Sequence, residues 1–168
     1  KYTLNEINDN GNFILEPNKK NAFLVVQNNL DINLIKDNKD NIFIVLLLET
    51  DSFKNKLSLL PKNFQTDCSN DFIDLCKQNN VKVKKIDISK SLDDCLKILK
   101  EEKIFNTYSE YITIGFEKDM VKKLITSLKN HDISYSSYLS NFYKEVWRFC
   151  DKGFFNFKKN FDKFYHLN

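Results

Sequence analysis

Glycine and proline are scarce: three of one and two of the other in 168 residues. A chain so poor in glycine has no glycine-rich phosphate loop and few tight turns that need a positive φ. Asn and Asp must take over most of the turn positions. The stretch from Gln27 to Asn33 follows the first apolar run, where a dinucleotide-binding fold carries its GxGxxG cradle. It contains no glycine, which argues against classical NAD binding. Arginine is scarcer still. Arg148 is the only one among 26 basic residues, and the rest are lysines that offset 23 acidic residues to a net charge of +3. Lysine supplies point charges rather than the planar forks that read bases and phosphates. A dedicated nucleic-acid binder would show a basic stripe, and this composition does not.

Other absences narrow the class further. The cysteines are Cys68, Cys76, Cys95 and Cys150, with no CxxC spacing, and His131 and His166 are the only histidines. No zinc framework can be assembled from that set. A reduced, intracellular (cytoplasmic or nuclear) protein is expected. No apolar run reaches the roughly 18 residues of a transmembrane helix, so no membrane association is expected. The first residues, KYTLNEINDNGNF, lack the apolar core of a signal peptide and an initiator Met, so the chain reads as a piece of something longer.

What is present is a regular alternation of strands and helices. Residues 1–21 are a polar lead-in with one edge strand expected at Asn12–Leu15, and residues 22–168 form one α/β domain. Phe23–Val26 and Ile42–Leu48 are continuous apolar runs, the mark of central strands buried on both faces. One turn of helix is expected at Leu57–Leu60, ending before Pro61. A second helix is expected from a cap at Asp67 or Ser69 to Gln78, with Phe72, Ile73, Leu75 and Cys76 on its apolar side. Val81–Ile88 is the third strand. Ser91 and Asp94 make a capping box for a helix carrying Leu92, Cys95, Leu96, Ile98 and Leu99. Tyr111–Gly115 is the fourth strand, Glu117–Asn130 a helix, and Ile133–Leu139 the fifth strand. Right-handed crossovers then give an open parallel sheet in the order 3-2-1-4-5 with helices on both faces.

Ligands in such sheets lie beyond the carboxyl ends of the strands, at the switch point between strands 1 and 4. The candidates there are Gln27, Asn29, Glu49, Asp51 and Phe116. Glu49, Asp51 and Asp67 could form a carboxylate cluster, but acid–base work needs two carboxyls in different environments and the sequence shows no such difference. His131 beside Asp132 resembles half of a triad, yet it lies at the amino end of strand 5. A role as a helix-terminal turn residue fits better.

The chain ends in an aromatic segment. Phe154, Phe157, Phe161, Phe164 and Tyr165 recur at helical spacing on one face, with Trp147 and Phe155 close by and Lys158, Lys159 and Lys163 mostly elsewhere. Stacking of single-stranded bases is one use for aromatics interleaved with lysine. A helix closing the sheet is another, and a protein interface is the third.

Three segments together resemble the N-terminal α/β domain of the photolyase/cryptochrome family. Residues 22–33, AFLVVQNNLDIN, resemble that family's first strand and the segment after it; they keep Leu30 and Asp31 and lack its two arginines. The order of elements from Ile42 to Leu139 is similar to that domain's order. Glu145–Phe164 is similar to the aromatic stretch that leads toward the family's flavin domain. The resemblance implies either an antenna-chromophore pocket, of folate or flavin type, or a scaffold for a partner. It carries over no catalytic residue, and the helical flavin domain is not within this sequence. The expected function is a non-catalytic module that binds a partner protein, or a domain missing from this sequence, through its aromatic end in DNA repair or replication work. The antenna domain and a small nucleotide-handling enzyme using Glu49 or Asp51 are the alternatives. A nucleic-acid partner stays open, though not through a basic patch.

Overall fold

A computed structural model describes residues 15, 19–27, 29–49, 59–112, 116–140 and 158–159. The elements are β1 (Asn21–Val26), α1 (Ile32–Asn38), a 3-10 turn at Lys39–Asn41, β2 (Ile44–Glu49), α2 (Leu59–Gln78), β3 (Val83–Asp87), α3 (Leu92–Glu101), β4 (Asn106–Glu110), α4 (Phe116–Lys129) and β5 (Ser134–Tyr138). The five strands form one parallel sheet in the order β3-β2-β1-β4-β5, as expected. The middle is apolar on both faces. Ala22, Leu24, Val26, Ile44, Leu46 and Leu48 pack against α3 and α4 through Cys95, Leu99, Leu124 and Leu128. Phe23, Val25, Val45 and Leu47 pack against α1 and α2 through Leu34, Ile35, Phe72 and Cys76. Leu15 is buried on the second face, while residues 12–14 of the expected edge strand lie outside the described residues.

Four expectations are corrected. Helix α1 was not foreseen: Asp31 caps it by accepting from the Leu34 amide at 3.0 Å, and Leu34 and Ile35 are its buried side. At seven residues it is too short for helical periodicity to stand out. Pro61 does not stop a helix. It falls in the first turn of α2, where an amide has no intrahelical partner to lose. Asp67 and Ser69 are therefore interior residues of that 20-residue helix and not caps. Lastly, β4 is Asn106–Glu110 rather than Tyr111–Gly115, with Tyr111 and Ile112 already beyond it. The strand is polar yet buried, because its hydroxyls are satisfied. Thr107 Oγ1 donates to the Ser134 carbonyl at 2.6 Å, and Ser109 Oγ donates to the Glu110 carbonyl at 2.9 Å and meets the Tyr135 hydroxyl at 2.7 Å.

Three helices end alike without glycine. Asn80, Lys103 and Asp132 take φ of 59°, 55° and 56°. The next residue's amide then bonds back five positions: Val81 to Cys76 at 2.8 Å, Ile104 to Leu99 at 2.8 Å, Ile133 to Leu128 at 3.0 Å. Each of those six residues is buried, so the return bond also places an apolar pair in the core. This is the Schellman ending, which glycine usually supplies. A side chain in this conformation costs about 1–2 kcal/mol, less for Asn and Asp than for Lys. Lys103→Gly is therefore expected to raise stability by about 0.5–1 kcal/mol after glycine's greater unfolded-state entropy is counted, and Asn80→Gly by less. Urea unfolding midpoints check the ranking.

Candidate functional site

The corrected β4 moves the switch point. The carboxyl ends of β1, β4 and β5 bring together Asn29, Asp31, Glu110, Tyr138 and Ser140, with Gln27 at the end of β1; Phe116 opens α4, and residues 113–115 before it lie outside the described residues. Gln27 is buried and spans to α2: its Nε2 donates to Ser69 Oγ at 3.0 Å and to the Gln65 carbonyl at 3.2 Å. Ser69, fully buried, is thus a tie between helix and strand end. The Asn29 amide donates to the Val26 carbonyl at 2.9 Å and turns the chain toward the Asp31 cap.

Glu110 is 6% exposed at the end of β4. Its Oε1 has no hydrogen-bond partner among the described residues. Burial raises its carboxyl above the usual range. The Ser140 hydrogen bond opposes this, the Asp31 charge adds to it, and the Asn29 hydrogen bond opposes it. Tyr138 beside it is raised by burial, then by Glu110 and Asp31. Its ring packs edge-on to Phe23 with centroids 6.3 Å apart, and Tyr108 stacks on the same ring at 5.7 Å. The space among Asn29, Asp31, Leu34, Glu110, Ile112 and Tyr138 has a volume of about 10 Å³. That is room for about one water. Among the described residues, side chains leave only this small space where a parallel sheet usually takes its ligand.

At the ends of β2 and β3 the carboxylates have local partners. Glu49 Oε1 faces Lys85 Nζ at 3.5 Å across β2 and β3. Asp87 Oδ1 accepts from the Ser89 amide at 3.1 Å and hydroxyl at 2.6 Å, and Lys90 lies 2.9 Å from Oδ2. The expected carboxylate cluster is not assembled from the described residues: Asp67 is exposed on α2, and Asp51 lies outside them. His131 is exposed just past α4, its Nδ1 2.8 Å from the Ser127 carbonyl, as a helix-terminal residue should be. Cys76 and Cys95 are buried, their thiols pushed up to about 11 and about 12 by desolvation, so neither is a reactive thiolate. No group of three or more metal-ligating side chains occurs among the described residues. None of their helices is long and apolar enough to cross a membrane. Trp147, Phe154, Phe155, Phe157, Phe161, Phe164 and Tyr165 all lie outside the described residues; Lys158 and Lys159, which lie among them, are helical and exposed. No protein-family model and no curated protein matches the chain.

Sequence reasoning missed Glu110 and Tyr138 and gave Ser69 a different role. The lone signal for Glu110 was an acidic residue between two tyrosines in TYSEY, and reading the strand five residues late hid it. Ser69 was read as a helix cap, since nothing in the sequence marks its partner Gln27, and a buried serine in mid-helix looks like any other.

Glu110 has a pH signature. Its folded carboxyl titrates above its unfolded value, so the fold holds the proton more tightly than the unfolded chain. The associated stability is complete below about pH 4.3 and is lost as pH rises through the folded value. Glu110→Gln, which cannot ionise, is expected to be more stable than the parent at pH 7, with the gap closing as pH falls toward 4. Urea unfolding across that range measures it; a pH-independent gap contradicts the assignment. Asp31→Asn keeps the cap, removes the charge and should narrow the gap.

Proposed function

We propose that the chain is a non-catalytic, photolyase-like α/β module that binds a partner protein or domain through the aromatic face of its C-terminal segment, in DNA-associated work. The observation that carries the reading is how little space the described residues leave at the switch point. Gln27 is tied to α2, Glu110 is buried, and the space lined by Asn29, Asp31, Glu110 and Tyr138 has a volume of about 10 Å³. A flavin, a folate or a nucleotide needs a cleft of about 300 Å³ or more. Glu49, the carboxylate an enzyme would use, faces Lys85 across the sheet. The aromatic residues named above supply the contact chemistry, since Trp, Tyr and Phe dominate the anchors of protein interfaces. The photolyase likeness rests on the segments at 22–33 and 145–164 and on the shared strand order.

The test is exclusion of small ligands by the full chain. Purified protein should be colourless beyond the aromatic band and retain neither flavin mononucleotide, nor a folate, nor ATP in equilibrium dialysis. A bound chromophore would overturn the reading in favour of an antenna domain. ATP turnover lost in Glu49→Ala would overturn it in favour of an enzyme. Phe157→Asp with Phe161→Asp should abolish concentration-dependent self-association or partner capture and leave the melting temperature unchanged. A chain that unfolds on this substitution would place the aromatics in the core.

A further inference from the structure

A groove of about 480 Å³ runs between α4 and the outer edge of β5. Its walls carry Lys118, Lys122 and Lys129 from α4, Tyr111 and Tyr135, and the edge at Ser136 and Ser137, with no acidic side chain among the described residues. Some lysines elsewhere are paired, as Lys77 is with Asp74, Lys82 with Glu102 and Lys97 with Glu101. Those three lysines make no ion pair among the described residues, and Lys118 rests over the Tyr111 ring at 5.2 Å. They recur at i, i+4 and i+11, a row of about 16 Å on a helix. The five residues of β5 span a similar length at about 3.3 Å each.

Among the described residues β5 pairs only with β4, and its outer edge carries no strand. The Ser134 amide donates to Phe105 and the Tyr138 carbonyl accepts from Tyr111, so both point toward β4. Alternation then turns the N–H and C=O of Tyr135 and Ser137 outward, along the groove. Alternate side chains of a strand added there would recur every ~7 Å, facing the lysine row.

Single-stranded nucleic acid fits these walls less well. The Tyr135 hydroxyl is held by Ser109 at 2.7 Å and its ring packs against the core, while Lys118 sits over Tyr111. Neither ring is an open stacking platform, and base stacking is what a strand of nucleic acid would need. A protein strand uses both features, the backbone edge and the row of charge.

We propose that the groove between α4 and β5 takes an extended acidic segment of a partner protein, added as a sixth strand along β5 with its carboxylates on Lys118, Lys122 and Lys129. The inference rests on the partner-binding reading and adds a surface and a partner chemistry to it. Its test is fluorescence anisotropy of the full chain with a labelled peptide of alternating Glu and Val, at low salt. Binding is expected to be salt-sensitive and to fall about tenfold or more in the Lys122→Glu, Lys129→Glu double variant. Methylation of alternate peptide amides should abolish it, as should Ser137→Pro, which removes an outward N–H; the methylated peptide decides the matter should that variant fail to fold. Equal binding of an alternating Lys and Val peptide, preference for oligo-dT, or no binding of the acidic peptide would overturn the proposal. A chain that excludes flavin, folate and ATP yet ignores the acidic peptide refutes the groove alone. A chain that holds one of those ligands refutes the module reading instead.

Discussion

Burial of β1 and β2 on both faces is the constraint from which the rest follows. Every residue of the two strands except Glu49 is buried. Strands with no wet side need a helical layer above and another below. The pairs α1 with α2, and α3 with α4, supply those layers. Parallel neighbours in turn force each connection to cross the sheet, which is why α1 must exist between β1 and β2 although it is only seven residues long. The register of Val25 opposite Leu47 and Leu47 opposite Lys85 then fixes where every carboxyl end falls.

This explains which parts were legible in the sequence. Apolar runs at Phe23–Val26 and Ile42–Leu48 have one physical meaning in a chain this size, and the strand order followed from them. Helices α3 and α4 declared themselves through apolar spacing and, for α3, the Ser91 cap, whose hydroxyl accepts from Asp94 at 3.2 Å. The outer half of the sheet was harder to read. In NTYSE the burial is achieved by side-chain hydroxyls finding partners on β5, and hydrogen-bond partners across 26 or 27 residues leave no periodic trace. The apolar pair that starts Tyr111-Ile-Thr-Ile attracted the strand assignment instead. The same blindness hid the role of Ser69: its partner, Gln27, is 42 residues away. Pro61 misled for a different reason, since its meaning depends on whether it falls in the first turn or the interior, and that depends on where the helix begins.

Scarcity of glycine shaped the architecture without preventing it. A doubly covered sheet needs its helices to stop sharply and send the chain back underneath. Here Asn80, Lys103 and Asp132 accept an unfavourable backbone angle because each return bond delivers Val81, Ile104 or Ile133 into the core. Burying such a side chain contributes about 1.5–3 kcal/mol, which exceeds the roughly 1–2 kcal/mol of the left-handed conformation. Two of the three positions are Asn or Asp, as the composition suggested. The lysine shows that packing outweighs local preference where the gain is large enough.

The same comparison of magnitudes bears on function. Parting α2 from the end of β1 for a ligand would strand the Gln27 amide and the Ser69 hydroxyl, each at about 1–3 kcal/mol if left unsatisfied in the interior. Together that rivals the whole binding energy of a millimolar ligand, about 4 kcal/mol. The α4–β5 edge carries no such penalty. Among the described residues its outward amides have no strand partner and Lys122 and Lys129 are exposed, so a partner strand would supply hydrogen bonds in place of water while adding charge attraction. Among the described residues, then, side chains at the carboxyl ends of β1 and β4 are held by local bonds, while the outer side of β5 pairs with no strand.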